Sequence, residues 1–235
     1  MPGPLVIPAR FNGPSESGNG GYSAGAIAAF LDGSAAVSLR RPVPLDTPLE
    51  VSVDDRSAQV LDGDSLIAEA EPVSDFDLEI PEPVGLSEAR QASTHYRGLP
   101  EGQFSRCFVC GLAREDSFHV FAGEVKGRDV VASPWVPPEW TADEEDRDRV
   151  RPEFVWAVLD CPTYFATYLG ENLATSFLAR MTARIEAPVA VGDEHIVIAW
   201  PIEADGRKRH AGSAVLASSG EVLALARVLL IEPQV

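Results

Sequence analysis

The chain has 235 residues, 45% hydrophobic and 23% charged, the balance of an ordinary globular protein, and no apolar run approaches the roughly 20 residues that span a bilayer. Its formal net charge of −17 repels nucleic acid and anionic membrane surfaces, so neither is expected as a partner. An anionic ligand needs a local cluster of basic residues, and the two such clusters are Arg40-Arg41 and Arg207-Lys208-Arg209.

The N-terminus, Met1-Pro-Gly-Pro-Leu-Val-Ile-Pro, lacks a basic leader region and its apolar stretch is broken by prolines, so a secretory signal is not expected and a cytoplasmic location is. The loop Asn12 to Asn19 leads into Gly20 to Leu31, a segment rich in small apolar residues that reads as a helix apolar on nearly every side. Such a helix belongs inside a fold. Period-2 alternation then predicts strands at Ala36 to Arg41 and Leu49 to Val53, and a strand, glycine turn and second strand across Ser57 to Ala70. Pro72 to Gln103 is rich in Pro, Asp, Glu and Ser and reads as a connector, which we bound at 81–105 between an N-terminal half, 1–80, and a C-terminal half, 106–235.

The second half repeats the first. Asp143 to Arg149 is a charge block expected to be a solvated loop. Pro152 to Asp160 reads as a second apolar helix with proline in its favourable first-turn position, followed by strands at Met181 to Ile185, His195 to Trp200 and a hairpin over Ala211 to Ile231. Arg41 to Val51 aligns with Glu186 to Ile196, and Ala58 to Ala70 with Ala214 to Ala226, in both cases by turn and strand pattern.

Three cysteines, Cys107, Cys110 and Cys161, cannot all pair with one another, which suits a reducing compartment. Cys107-Phe-Val-Cys110 has zinc-knuckle spacing, but no second CxxC or HxxxH follows. His119 and Cys161 complete four ligands only if the fold happens to bring them together, so buried structural thiols are the expectation and no metal is assigned.

A central apolar helix wrapped by a curled antiparallel sheet, present twice, resembles the hotdog fold in its double form, an α+β architecture with two curled sheets. Cys107-Phe-Val-Cys-Gly111 followed by the strand-like Phe118-His-Val-Phe121 resembles the opening of phenylacetyl-CoA-type thioesterase domains. Asn19-Gly20-Gly21 resembles that family's His-Gly-Gly signature, and Asp160 follows Pro152 by the eight residues that separate the family's helix glycine from its catalytic acid. The resemblance implies thioester hydrolysis, with glycine amides and an acid drawn from opposite members of a hotdog pair. Free N–H groups at a helix N-terminus suit a developing oxyanion, and a carboxylate activates water or attacks directly.

On that pattern Gly20 and Gly21 supply the oxyanion hole and Asp160 the base or nucleophile. The reciprocal site is incomplete, because Ala28 stands eight residues after Gly20 and Pro152 has no N–H. One composite site per chain follows. Asn19, in place of the family's histidine, reads first as an N-cap and second as a substrate contact. Glu153, Thr163 and Tyr164 are further substrate-binding candidates: Glu153 sits in the first turn, where the helix dipole already accounts for it, and the other two follow Asp160 by three and four residues, a register that Pro162 disturbs. The expected partner is a small acyl thioester with CoA as part of the substrate, no separate cofactor, and a homodimer of double hotdogs as a compatible assembly. Two rival functions are a non-catalytic acyl-thioester binding protein and, lower, a hotdog dehydratase, whose chemistry wants a histidine that neither helix contains.

Overall fold

The computed structural model describes residues 3–54, 56–74 and 76–234. Among these no helix is long and apolar enough to cross a membrane. A short 3-10 turn, Ala9–Phe11, precedes helix α1, Gly20–Ala28, whose N-cap Asn19 accepts the Tyr22 N–H at 2.9 Å. Strands β1 (Ala35–Leu39), β2 (Glu50–Val53), β3 (Ala58–Asp62) and β4 (Ser65–Pro72) follow, with β3 and β4 turning at Gly63, φ +54°.

The connector contains an element that the composition did not reveal: helix α2, Leu86–Ser93, which buries Ala89 and Ala92 and leaves its polar residues outward. Beyond it come β5 (Gly123–Glu124), β6 (Val131–Trp135), a 3-10 turn at Glu139–Thr141, helix α3 (Pro152–Ala166), and strands β7 (Phe177–Ile185), β8 (His195–Asp205), β9 (Lys208–Ala217) and β10 (Val222–Ile231). The sequence pattern ends the second helix at Asp160, whereas α3 continues through Pro162 to Ala166. Leu159, Pro162, Thr163, Phe165 and Ala166 are all buried there. Their burial offsets the backbone bond that proline removes, a loss of about 3 kcal/mol in an exposed helix.

All ten strands form one antiparallel sheet in the order β2-β3-β4-β1-β7-β10-β9-β8-β6-β5. Two separate sheets were expected; the structure has one, because β1 pairs with β7 from Ala35↔Ala183 to Ser38↔Arg180 and so satisfies the edge that each half would otherwise expose. Outward from this seam the four strands after each long helix occur in the same sequence, first, fourth, third, second. Helix α1 lies on β1, β3 and β4 and reaches across to β7, while α3 lies on β8, β9 and β10 and against α1.

The two faces of β8 and β9 are both covered. Val197 and Val215 join the core around α1 and α3. Their alternating neighbours Ile196, Ile198, Ala214 and Leu216 pack under Ala89 and Ala92 of α2, with Leu78 and Ile80 of the connector against the same cluster. A strand covered on both sides carries apolar residues at consecutive positions, which is why His195 to Trp200 reads as a run rather than an alternation.

Candidate active site

The packing of α1 on α3 creates the site. Gly21 and Gly25 allow the two helices to touch backbone to backbone: a Cβ at Gly21 would lie 2.5 Å from the Trp156 carbonyl oxygen, and one at Gly25 would lie 2.7 Å from the Glu153 Cα. At this approach the Gly21 N–H, in the first turn of α1, donates to Oδ2 of Asp160 at 2.8 Å. First-turn amides have no partner within the helix and attract a negative group. Asp160 is 8% exposed, and burial pushes its carboxyl up to about 7; the Gly21 N–H pulls in the opposite direction and the nearby Cys107 sulfur adds to the rise.

Asp160 and Gly20 face one cavity of about 880 Å³, which also takes in Asn19, Cys161, Tyr164, Phe104 and Leu178. No acceptor among the described residues takes the Gly20 N–H. Gly21 itself does not line the cavity, and its amide is engaged by Asp160, so the free backbone donor here is that of Gly20. Asn19 is buried; its Oδ1 caps α1, and its Nδ2 donates to the sulfurs of Cys161 at 3.5 Å and Cys107 at 3.7 Å.

The other candidates separate. Tyr164 lines the cavity, with its hydroxyl pushed up to about 12 by burial. Thr163 is buried away from it and bonds the Asp160 carbonyl at 2.6 Å, a local helix contact. Glu153 also lies off the cavity, beside Arg151 at 3.4 Å.

The two basic clusters, 167 residues apart in sequence, reach the same opening through Arg40, Arg41 and Arg207. Arg40 is paired with Glu69, and Arg207 donates to the Glu232 carbonyl at 2.7 Å. Arg41 is exposed and has no ion pair or side-chain hydrogen bond among the described residues. Arg209 points elsewhere, held by Glu232 and Glu171 over the Tyr168 ring.

Cys107 and Cys110, the pair with knuckle spacing, line the cavity beside the N-terminus of α1, and Cys161 of α3 joins them, its Sγ 3.7 Å from that of Cys107. Hydrogen bonds from the Cys110 and Cys161 thiols, and from the Cys110 and Val109 amides, hold Cys107 well below the ordinary thiol range, while both neighbouring thiols are raised. His119 does not join them; it is exposed beside Phe121. The family resemblance pointed to Asp160, Gly20 and Asn19, while nothing in the sequence pointed to Phe104 and Leu178, which reach the cavity through long-range folding.

No family model and no curated protein matches the sequence. Solved structures do match. A protein of Alicyclobacillus acidocaldarius with a hot dog fold and unknown function aligns with a TM-score of 0.60 at 11% identity, over 97% of this chain and 91% of that one. The fold is therefore a hotdog fold. A tesB protein of Mycobacterium avium subsp. paratuberculosis aligns with a TM-score of 0.59 at 15% identity, over 98% of this chain and 91% of its own. A candidate thioesterase from Novosphingobium aromaticivorans aligns with a TM-score of 0.60 at 11% identity, over 98% and 94%.

Proposed function

We propose that this chain is a double hotdog that hydrolyses acyl thioesters, acyl-CoAs among them, at one composite site between its halves. The observation that carries this reading is the meeting of Asp160 from α3 with the N-terminus of α1 at the wall of a single cavity. The mirrored strand order on either side of the β1/β7 seam supports the double architecture. The arginine-rimmed opening suits the phosphates of CoA, and the largely apolar interior suits an acyl chain.

In this reading the thioester carbonyl oxygen accepts the Gly20 N–H. Asp160 takes a proton from a water as that water's oxygen adds to the carbonyl carbon, and the tetrahedral oxyanion is held by the same amide. Collapse breaks the C–S bond, and Asp160 returns its proton to the departing thiolate. Burial favours this cycle, because a carboxyl raised towards neutrality can both accept and release a proton. The Gly21 N–H fixes the carboxylate in place. The mirror-image position is inert: the first residue of α3 is Pro152, and Ala28 ends α1. No histidine lines the cavity among the described residues, which disfavours the dehydratase alternative.

The test is turnover of a panel of acyl-CoAs by wild type and Asp160→Asn. Asparagine keeps the shape and can still accept the Gly21 N–H, so the variant should fold and bind while kcat falls by about 10²–10⁴-fold. Binding of acyl-CoA by the wild type without turnover would instead identify a binding protein, and undiminished turnover by the variant would remove Asp160 from the chemistry.

A further inference from the structure

Hydrolysis as drawn above makes no use of the three thiols in the cavity wall. Cys107 and Cys110 come from the turn between the connector and the second half, and Cys161 comes from the middle of α3, yet all three Sγ atoms lie within 4.8 Å of one another. The 3.7 Å between the Cys107 and Cys161 sulfurs is the edge of a metal-centred tetrahedron: Zn–S bonds of about 2.3 Å place neighbouring sulfurs roughly 3.8 Å apart.

The surroundings also suit a thiolate cluster. The Cys107-x-x-Cys110 turn closes with Gly111 N–H donating to the Cys107 carbonyl at 2.8 Å, and a Cβ at Gly111 would stand 2.6 Å from both the Cys107 and Ser105 carbonyl oxygens, so glycine alone fits there. The Asn19 side-chain N–H₂ bridges Cys107 and Cys161, at 3.7 and 3.5 Å from their sulfurs. N–H donors arranged around sulfur are the outer shell that orients metal-bound thiolates. This gives Asn19 a task besides capping α1, because a serine or aspartate would cap the helix without presenting an N–H to the sulfurs.

We propose that Cys107, Cys110 and Cys161 bind one zinc ion, with the fourth coordination position open to the cavity. Three soft ligands on two separate segments favour a thiophilic d¹⁰ cation over calcium or magnesium, which take oxygen ligands. All three cysteines line the cavity, so a water or an incoming sulfur can reach the remaining position. The ion would cross-link α3 to the Cys107–Cys110 turn and fasten that wall of the cavity. The site does not depend on the hydrolytic reading; it requires only that the three sulfurs lie where they do.

The experiment is metal analysis of the full chain purified under a phosphine reductant, followed by zinc removal with a chelator and titration with Co²⁺. The expected result is about one zinc per chain and, with cobalt, tetrahedral d–d bands together with thiolate-to-metal charge-transfer bands of an intensity matching three thiolates. Cys161→Ser should weaken zinc binding by more than about 100-fold with an unchanged circular dichroism spectrum. If that variant does not fold, the wild-type cobalt spectrum still decides, because it counts the thiolates directly. A fully reduced wild type that carries little zinc and gives no charge-transfer band, or a cobalt spectrum showing two thiolates, would overturn the proposal. Either result could occur with acyl-CoA hydrolysis intact.

Discussion

At the scale of single residues, two adjacent glycines divide one task. Gly20 keeps its N–H free at the cavity, and Gly21 holds Asp160. Their steric surroundings differ as well. A Cβ at Gly20 would press on the Leu178 Cδ2 and Cβ at 2.8 and 2.9 Å, whereas one at Gly21 would meet the Trp156 carbonyl oxygen and the Asp160 Cβ at 2.5 and 2.6 Å. Backbone cannot yield without parting α1 from α3. Gly21→Ala is therefore expected to destabilise the protein by about 1–3 kcal/mol, the usual range for overpacking, and to lower its melting temperature by several degrees. Thermal denaturation followed by circular dichroism measures this, and a melting temperature equal to that of the wild type would contradict the close packing described for the two helices.

At the scale of elements, α3 breaks a local rule next to the site. Pro162 has no N–H for the Val158 carbonyl four residues back, yet it sits in the interior of a 15-residue helix, two positions after Asp160 and one after Cys161. Replacing it by alanine restores that donor and removes a helix penalty of about 3 kcal/mol, against the loss of a buried ring of about 1–2 kcal/mol. Pro162→Ala is therefore predicted to raise stability by about 1 kcal/mol in urea denaturation. Because the rule is broken beside the candidate acid, the same variant is predicted to hydrolyse acyl-CoA more slowly, a trade expected where geometry serves chemistry. A variant that is less stable than the wild type would show that the proline is kept for packing.

At the scale of the molecule, the β1/β7 seam makes one sheet of the two halves. Met181 is fully buried opposite Val37 at this junction, and Arg180 Nη1 donates to Ser38 Oγ across it at 2.8 Å. The four tryptophans, Trp135, Trp140, Trp156 and Trp200, all belong to the second half, and Trp140 and Trp156 pack on Arg10, Phe11 and Gly25 of the first, so their fluorescence reports on the second half and its contact with the first. Val60→Ala, at a fully buried position in β3, should cost about 2 kcal/mol. If the sheet unfolds as one unit, the tryptophan transition shifts with the far-ultraviolet one by the same amount. A tryptophan midpoint unmoved by Val60→Ala would mean that the halves unfold independently.

Local chemistry was enough to mark the apolar helices, most strands and the glycine turns, because each depends on periodicity or turn chemistry within a short stretch, whereas Asn19, Gly20, Gly21 and Asp160 stood out through the resemblance of their motifs to a thioesterase pattern. Helix α2 escaped because its apolar face is small, a half-buried Leu86 with Ala89 and Ala92 in a polar segment, too little contrast for a periodic signal. Four matters required the chain to be folded: the fusion of the halves through β1 and β7, the use of the Gly21 amide by Asp160, the shared opening of two distant arginine clusters, and the approach of Cys161 to Cys107 and Cys110. Each is a distance between groups remote along the backbone. Such distances are decided by how helices and strands pack against one another, and neighbouring residues carry no record of them.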